Sequence, residues 1–262
     1  MTRTPSPAMQ RPLLMLRLLP DLGALARWAA ATGQRALRDD PGYALHAALR
    51  ATLGQHAPKP FALLERPGSQ QVIGYTRAED QALREALAMA AITDPLAAQA
   101  LGLDERAQPV IRAMPAVWRP GLRLSFEARV APVVRSRVAQ GGTYPEVDAA
   151  FHPAFAGDEP GNRERAHARW LARELSRDGA AQLVHHRAVA FSLAAIARRT
   201  FAADPQQGGR QTRAGLLPDL TVRGELQVQD AAAFDGLLAR GLGRHRSFGY
   251  GCLLIAPAGA WT

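Results

Sequence analysis

The sequence predicts an α+β protein built of two βαββαβ units in tandem, and three observations carry that expectation. The first 117 residues read as strand, helices, strand hairpin and helix, an order that one further strand would close. A new strand with clean period-two alternation then starts at Leu122. The chain ends on a helix, a glycine-rich loop and a short apolar run, the closing half of a second unit of similar order. This is the ferredoxin-like arrangement twice over, although no sequence repeat links the halves.

Each element has a local reason. Leu13 to Leu19 is an apolar run broken only by Arg17 and reads as a mostly buried strand. Asp21 is placed to cap a helix through Ala31, with Gly33 as its stop. Pro41-Gly42 precedes a second helix, Tyr43 to Leu53, ended by Gly54. Phe61 to Arg66 and Gln70 to Tyr75 pair through the turn Pro67-Gly68-Ser69. Thr76 and Glu79 have the spacing of a capping box for a helix through Ala91, and Met114 to Val117 is expected as the closing strand. Trp118 to Gly121 reads as a hinge. Residues 1–12 are thus set aside as a disordered extension, 13–117 as the first domain and 122–262 as the second.

In the second unit Leu122, Leu124, Phe126, Ala128 and Val130 alternate with polar residues, and Val133 to Val138 is expected to return as the hairpin partner. Residues 141–160 read as loop. Arg163 to Ser176 is amphipathic, with Ala168, Leu171, Ala172 and Leu175 on one face and Arg165, Arg169 and Arg173 four apart on another. Strands are expected at Leu183 to Ala190 and Leu220 to Val228, with a mobile segment at Gly208-Gly209-Arg210 between them. A helix over 230–240 and a strand over 252–256 follow.

Composition narrows the function. The formal net charge is +9, and residues 160–262 hold 14 basic against 8 acidic side chains. Of 32 basic residues only Lys59 is a lysine. Arginine pairs bidentately with phosphate and stacks on bases, which suits a nucleic-acid partner; GC-rich coding gives the same bias. No run of about 18 apolar residues spans a membrane, and Met1 to Pro12 lacks the apolar core of a signal peptide. The lone Cys252 excludes an internal disulfide, fits a cytoplasmic protein and reads as a buried core thiol.

Tyr43, His46 and Arg50 fall on one face of the second helix, where a phenol, an imidazole and a guanidinium would project together. Histidine titrates near neutrality and can move a proton without a metal. A helix that merely carries a half-buried tyrosine and a surface histidine stands as the alternative. His56 and the pair His185-His186 are weaker candidates. No spacing of His, Cys and Asp makes a metal site, and neither a phosphate-binding G-x-x-x-x-G-K-[ST] loop nor a G-x-S-x-G elbow occurs. In Gly241 to Gly251, glycines alternate with Arg244, Arg246 and Phe248. Two readings stand there: a tight entry into the last strand, or an RNA contact in which Gly243 and Gly249 allow close approach, the arginines add charge and Phe248 stacks. The arginine stripe on 163–176 is open in the same way, between a solvated face and a phosphate-facing one.

Taken in order, several stretches resemble the CRISPR repeat-RNA endonucleases of the CasE type. They are the first strand, Gly42-Tyr43-Ala44-Leu45-His46, Pro58-Lys59-Pro60-Phe61, Pro120 to Phe126 with Ala131-Pro132-Val133, and Arg240 to Gly243 through Phe248-Gly249-Tyr250-Gly251. The resemblance implies tandem ferredoxin-like (RRM-like) domains that bind the stem-loop of CRISPR repeat RNA beside other Cascade subunits. It implies metal-independent cleavage at the 3′ base of the stem, with no cofactor, leaving 2′,3′-cyclic phosphate and 5′-OH ends. The family's catalytic tyrosine and histidine carry over to Tyr43 and His46. Its basic hairpin carries over to the region of Arg135 and Arg137, and its glycine loop to Gly241 through Gly251. The lysines that some members place on the transition state are missing here, so Arg50, Lys59 or an arginine of the second domain must substitute. A cleavage-inactive hairpin-binding subunit of the same fold, or an unrelated basic RNA-binding protein, are the alternatives.

Overall fold

The computed structural model describes residues 11–32, 40–66, 68–103, 108–136, 145–158, 161–201 and 210–261. Most of the expected N-terminal extension, Gly33, Pro67, Arg137 and Gly208-Gly209 lie outside the described residues.

The first half runs β1 (Leu14–Leu18), α1 (Leu22–Ala31), α2 (Pro41–Leu53), β2 (Phe61–Arg66), β3 (Ser69–Thr76), α3 (Asp80–Thr93), α4 (Pro95–Ala100) and β4 (Val110–Ala113). Its antiparallel sheet has the order β2-β3-β1-β4. Leu14, Leu16 and Leu18 alternate inward from β1 and meet Leu45 and Leu49 of α2 in one core. Asp21 caps α1 as its sequence position requires, accepting from Ala24 N at 2.8 Å. Two expectations need correction. Thr76 and Glu79 do not form a capping box: α3 starts at Asp80, and the Thr76 hydroxyl accepts instead from Ala78 N at 3.1 Å. The closing strand is Val110–Ala113 rather than 114–117, because an additional helix, α4, capped by Asp94, precedes it.

The second half runs β5 (Arg123–Val130), β6 (Val133–Arg135), β7 (Glu146–Asp148), α5 (Pro153–Ala156), α6 (Arg163–Ser176), β8 (Ala181–Phe201), β9 (Arg210–Val228), α7 (Ala231–Arg240) and β10 (Leu254–Pro257). Its main sheet has the order β10-β5-β9-β8, the same relative order of strands as in the first half. Both halves are ferredoxin-like, as the sequence predicts.

The departures here bear on the site. Val133–Arg135 does not return along β5; it pairs with β7 in a separate small sheet, setting Arg135 opposite Glu146. A tight hairpin wants glycine or asparagine at its turn, and Ala131-Pro132 supplies neither. Residues 141–160 are accordingly not all loop. β8 and β9 are about twice as long as expected, and their pairing continues past the end of β5 at Val130–Leu220 to Phe201–Arg210. On α6 the buried face is Ala166, His167, Trp170, Leu171, Glu174 and Leu175, one step round from the expected one.

The halves share apolar packing. Ala62 and Tyr75 of the first sheet join the core built on Phe126, Trp170 and Phe234. The Tyr75 hydroxyl donates to the Leu253 carbonyl at 2.9 Å, and Arg77 pairs with Asp235. Trp118, in the expected hinge, is buried edge-on against Phe234 with ring centroids 5.0 Å apart.

Candidate active site and nucleic-acid interface

The site begins with the start of α2. Asp40 accepts from Tyr43 N at 3.0 Å, Pro41 occupies the first turn, and together they begin the helix immediately before Tyr43. Ala44, Leu45, Ala48 and Leu49 turn inward, leaving Tyr43 and His46 half-buried on the adjoining face. Phe248 of the glycine loop lies across that face. Its ring stacks on Tyr43 at 5.1 Å between centroids and 24° between planes. His46 meets it edge-on at 5.3 Å and lies 6.5 Å from Tyr43. The phenol and imidazole therefore come together, with an aromatic ring from the other half between them. Gly42 makes this approach feasible, since a Cβ there would stand 2.1 Å from the Phe248 carbonyl oxygen.

Arg50 does not join the cluster. Its Nη1 donates to the Gly54 carbonyl at 2.6 Å, closing the C-terminus of α2.

The glycine loop is held at both ends. Leu242 N donates to Gly251 O, and Gly251 N donates to Arg129 O at 2.6 Å. Arg129 pairs with both carboxylate oxygens of Asp219 and lies over the Tyr250 ring, 4.6 Å from its centroid. Burial lowers and these partners raise the Arg129 pKa, with a net rise; Tyr250 is pushed up to about 12, chiefly by burial. Gly241, Gly243, Gly249 and Gly251 all have φ between +63° and +85°. Their missing side chains admit close neighbours: Trp170 carbons would stand 2.5 Å from a Cβ at Gly243, and the Leu242 carbonyl oxygen 2.1 Å from one at Gly251. The glycines thus serve a tight turn first. The loop's cationic side chains supply what faces the neighbouring cleft.

That cleft has a volume of about 650 Å³ and is walled by Lys59, Arg135, Arg173, Arg177, Arg244 and Arg246. Phe248 and Ser247 line it too, so the aromatic cluster adjoins it. Two acids are set into the same wall. Glu146 accepts from Arg244 Nε, and its other oxygen lies 2.6 Å from His245 Nε2. Burial works against its charge, but these two partners outweigh it and bring the carboxyl down to about 2. Glu174, on the buried side of α6, accepts from Gly243 N at 2.9 Å and from Arg177 at 2.6 Å. His245 itself has φ +59°, in the left-handed region.

The arginine stripe of α6 divides. Arg165 is exposed. Arg169 donates to the Phe155 carbonyl at 3.2 Å, and Arg173 lies over the Phe155 ring at 5.3 Å while still lining the cleft. Sequence reasoning missed Glu146, Glu174, Arg177 and Arg240 as site residues, and held His245 only as a catalytic candidate behind His46. Only Arg177 had a visible signal, as the next basic residue in the four-residue period of the stripe. Among the described residues no group of three or more His, Cys, Asp or Glu is placed to hold a metal ion, and no helix is long and apolar enough to cross a membrane. Cys252 is buried, and burial pushes its thiol pKa up.

Comparison with known proteins now adds to this geometry. The family described as "CRISPR associated protein" matches residues 17–257. Among solved structures the chain is similar to a CRISPR endoribonuclease Cse3 bound to 19 nt RNA, at 19% identity and a TM-score of 0.58, over 94% of this chain and 100% of that one. Cse3 of Thermus thermophilus, bound to an RNA representing a pre-cleavage complex, matches at 19% identity and a TM-score of 0.57, again over 94% and 100%. Cas6e from Escherichia coli str. K-12 matches at 17% identity and a TM-score of 0.51, over 94% and 99%. At these identities the likeness is one of fold. No curated protein matches the chain.

Proposed function

The chain belongs to the CRISPR-associated protein family, and from that premise we propose that it is an endoribonuclease that binds the stem-loop of CRISPR repeat RNA and cuts at the 3′ base of the stem. The observation that carries this reading is the Tyr43–His46–Phe248 cluster opening beside a cleft walled by six basic side chains. A protein of the same fold is described as CRISPR endoribonuclease Cse3 bound to 19 nt RNA.

The chemistry needs no metal. The ribose 2′-OH attacks the adjacent phosphorus, the P–O5′ bond breaks, and the products are a 2′,3′-cyclic phosphate and a 5′-OH. One group must take the 2′-OH proton and one must give a proton to O5′. His46 serves as base or acid, and Tyr43 polarises or positions the nucleophile. Phe248 holds both rings. Negative charge developing on the phosphorane needs a nearby cation. Arg50 is engaged at its helix end, so Lys59, which lines the cleft with Phe248, takes that role. Phosphates of the stem lie along Arg135, Arg173, Arg244 and Arg246, with Arg165 extending the basic surface. The cut RNA stays bound, and other Cascade subunits assemble on it.

Cleavage should therefore persist in excess chelator and stop when the 2′-OH before the scissile phosphate is replaced by hydrogen. A requirement for Mg²⁺, or cutting of the deoxy-substituted RNA, contradicts the mechanism.

A further inference from the structure

The C-terminal end of α6 gathers more positive charge than its acids balance. The Glu174 side chain is only 8% exposed; two guanidinium groups lie against it, and the charge of a third, Arg246, reaches it. Arg177 Nη2 donates to its Oε1 at 2.6 Å. Arg240 Nη1 lies 4.0 Å from Oε2, and Arg240 Nη2 donates to the Glu174 carbonyl at 3.3 Å. Arg246 donates through Nη1 to the main-chain carbonyl of Arg240, which fixes the third guanidinium beside the same helix end. Oε2 is already engaged by the amide of Gly243. One buried carboxylate, with Asp178 contributing at Arg240, thus faces three cations.

Burial first, and then the charge of Arg177, lowers the pKa of both Arg240 and Arg246. A guanidinium does not give up its proton in a protein, so the excess charge remains and is relieved by an anion. Donors are available for one. Each guanidinium has five N–H groups, and the bonds named here and that from Arg240 Nη1 to the Gly241 carbonyl use one or two of them. Arg177 and Arg246 face the cleft, beside Arg173.

We propose that Arg177, Arg240 and Arg246, seated on Glu174, form a discrete site for one backbone phosphate of the bound RNA. The assignment rests on the RNA-binding reading above, and adds two residues, Arg177 and Arg240, that the sequence did not single out. The Glu174 carboxylate holds Arg177, and main-chain carbonyls hold Arg240 and Arg246, so the guanidinium forks are oriented before the ligand arrives; an oriented fork pairs bidentately with phosphate oxygens.

The test is hairpin binding to a CRISPR-repeat stem-loop across salt concentrations, for wild type, Arg177→Gln and Arg177→Lys. Arg177 is half-exposed, and Arg177→Lys keeps the charge if Arg177→Gln folds poorly. Each phosphate contact contributes about 0.7–0.9 log unit of affinity per decade of salt. Arg177→Gln should lose about that much slope, and Arg177→Lys should keep the slope with weaker binding because the fork is lost. An unchanged slope in Arg177→Gln overturns the site while leaving the RNA reading intact; failure of the wild type to bind any hairpin overturns both. Melting in inorganic phosphate against chloride at fixed ionic strength separates the remaining source. Phosphate stabilising wild type but not Arg177→Gln, with unchanged RNA slopes, would mark a free-anion site and contradict the assignment to RNA.

Discussion

Gly42 is the residue on which the meeting of helix and loop turns. A methyl group there would stand 2.1 Å from the Phe248 carbonyl oxygen, so Gly42→Ala must push the loop off α2. Phe248 would then leave Tyr43 and His46, while the basic cleft walls keep their own anchors at Arg129 and Glu174. Single-turnover cleavage should fall by about tenfold or more, since misplacing a catalytic group by about 1 Å costs on the order of 10²-fold. Hairpin affinity should change by less than about threefold; equal losses in both would mean that the contact only supports the fold. Tyr43 and His46 were legible in the sequence because i and i+3 on a helix share a face whatever surrounds it. Phe248 was legible as a ring in a glycine loop, but not as their neighbour. Glu174 was not legible because its partners Arg240 and Gly243 lie 66 and 69 residues further along.

Elements whose pattern comes from their own core were read well, and those defined by a distant partner were not. Strand β5 alternates because Leu124, Phe126, Ala128 and Val130 enter the core, and α6 appears with the bounds its period predicts. The outer parts of β8 and β9 pair only with each other and touch just a small cluster at Ile196 and Leu217, while Leu193 and Leu216 are exposed, so the main core imposes no alternation on them. The β6–β7 pair was missed because its partners are separated by a long connection rather than a tight turn. That pair is tied to the glycine loop through Glu146, which gives a pH-dependent outcome. The folded-state pKa of Glu146 lies below its ordinary value, at about 2. Its contribution to stability is therefore full above the ordinary carboxylate pKa and disappears as pH falls toward 2. Glu146→Gln should cost about 1–3 kcal/mol near pH 7, allowing for the quarter of the side chain that is exposed. The difference from wild type should vanish in chemical denaturation near pH 2. A constant difference across that range would show that Glu146 acts through shape alone.

At the scale of the whole molecule, the site exists only because two ferredoxin-like halves are held together, α2 from one and the glycine loop from the other. The sequence showed both halves and could not show how they meet, since a shared core of Ala62 and Tyr75 with Phe126 leaves no local pattern. The Tyr75 hydroxyl, buried and bonded to the Leu253 carbonyl, spans that junction, and burial raises its pKa well above the ordinary value. Tyr75→Phe leaves the carbonyl unmatched and should lower unfolding free energy by about 1–3 kcal/mol, with a matching loss of cleavage at elevated temperature. Wild-type stability in that variant would mean that the junction rests on packing alone. The central claim, that Tyr43 and His46 perform the cut while the cleft holds the RNA, is tested most directly at His46. Single-turnover cleavage of a CRISPR-repeat hairpin should be followed in chelator for wild type and His46→Ala, with binding measured on the same samples. The account predicts a rate lower by about 10²–10⁴-fold and an affinity changed by less than about 1 kcal/mol, because phosphate contacts dominate binding. Cleavage by His46→Ala at the wild-type rate would contradict it.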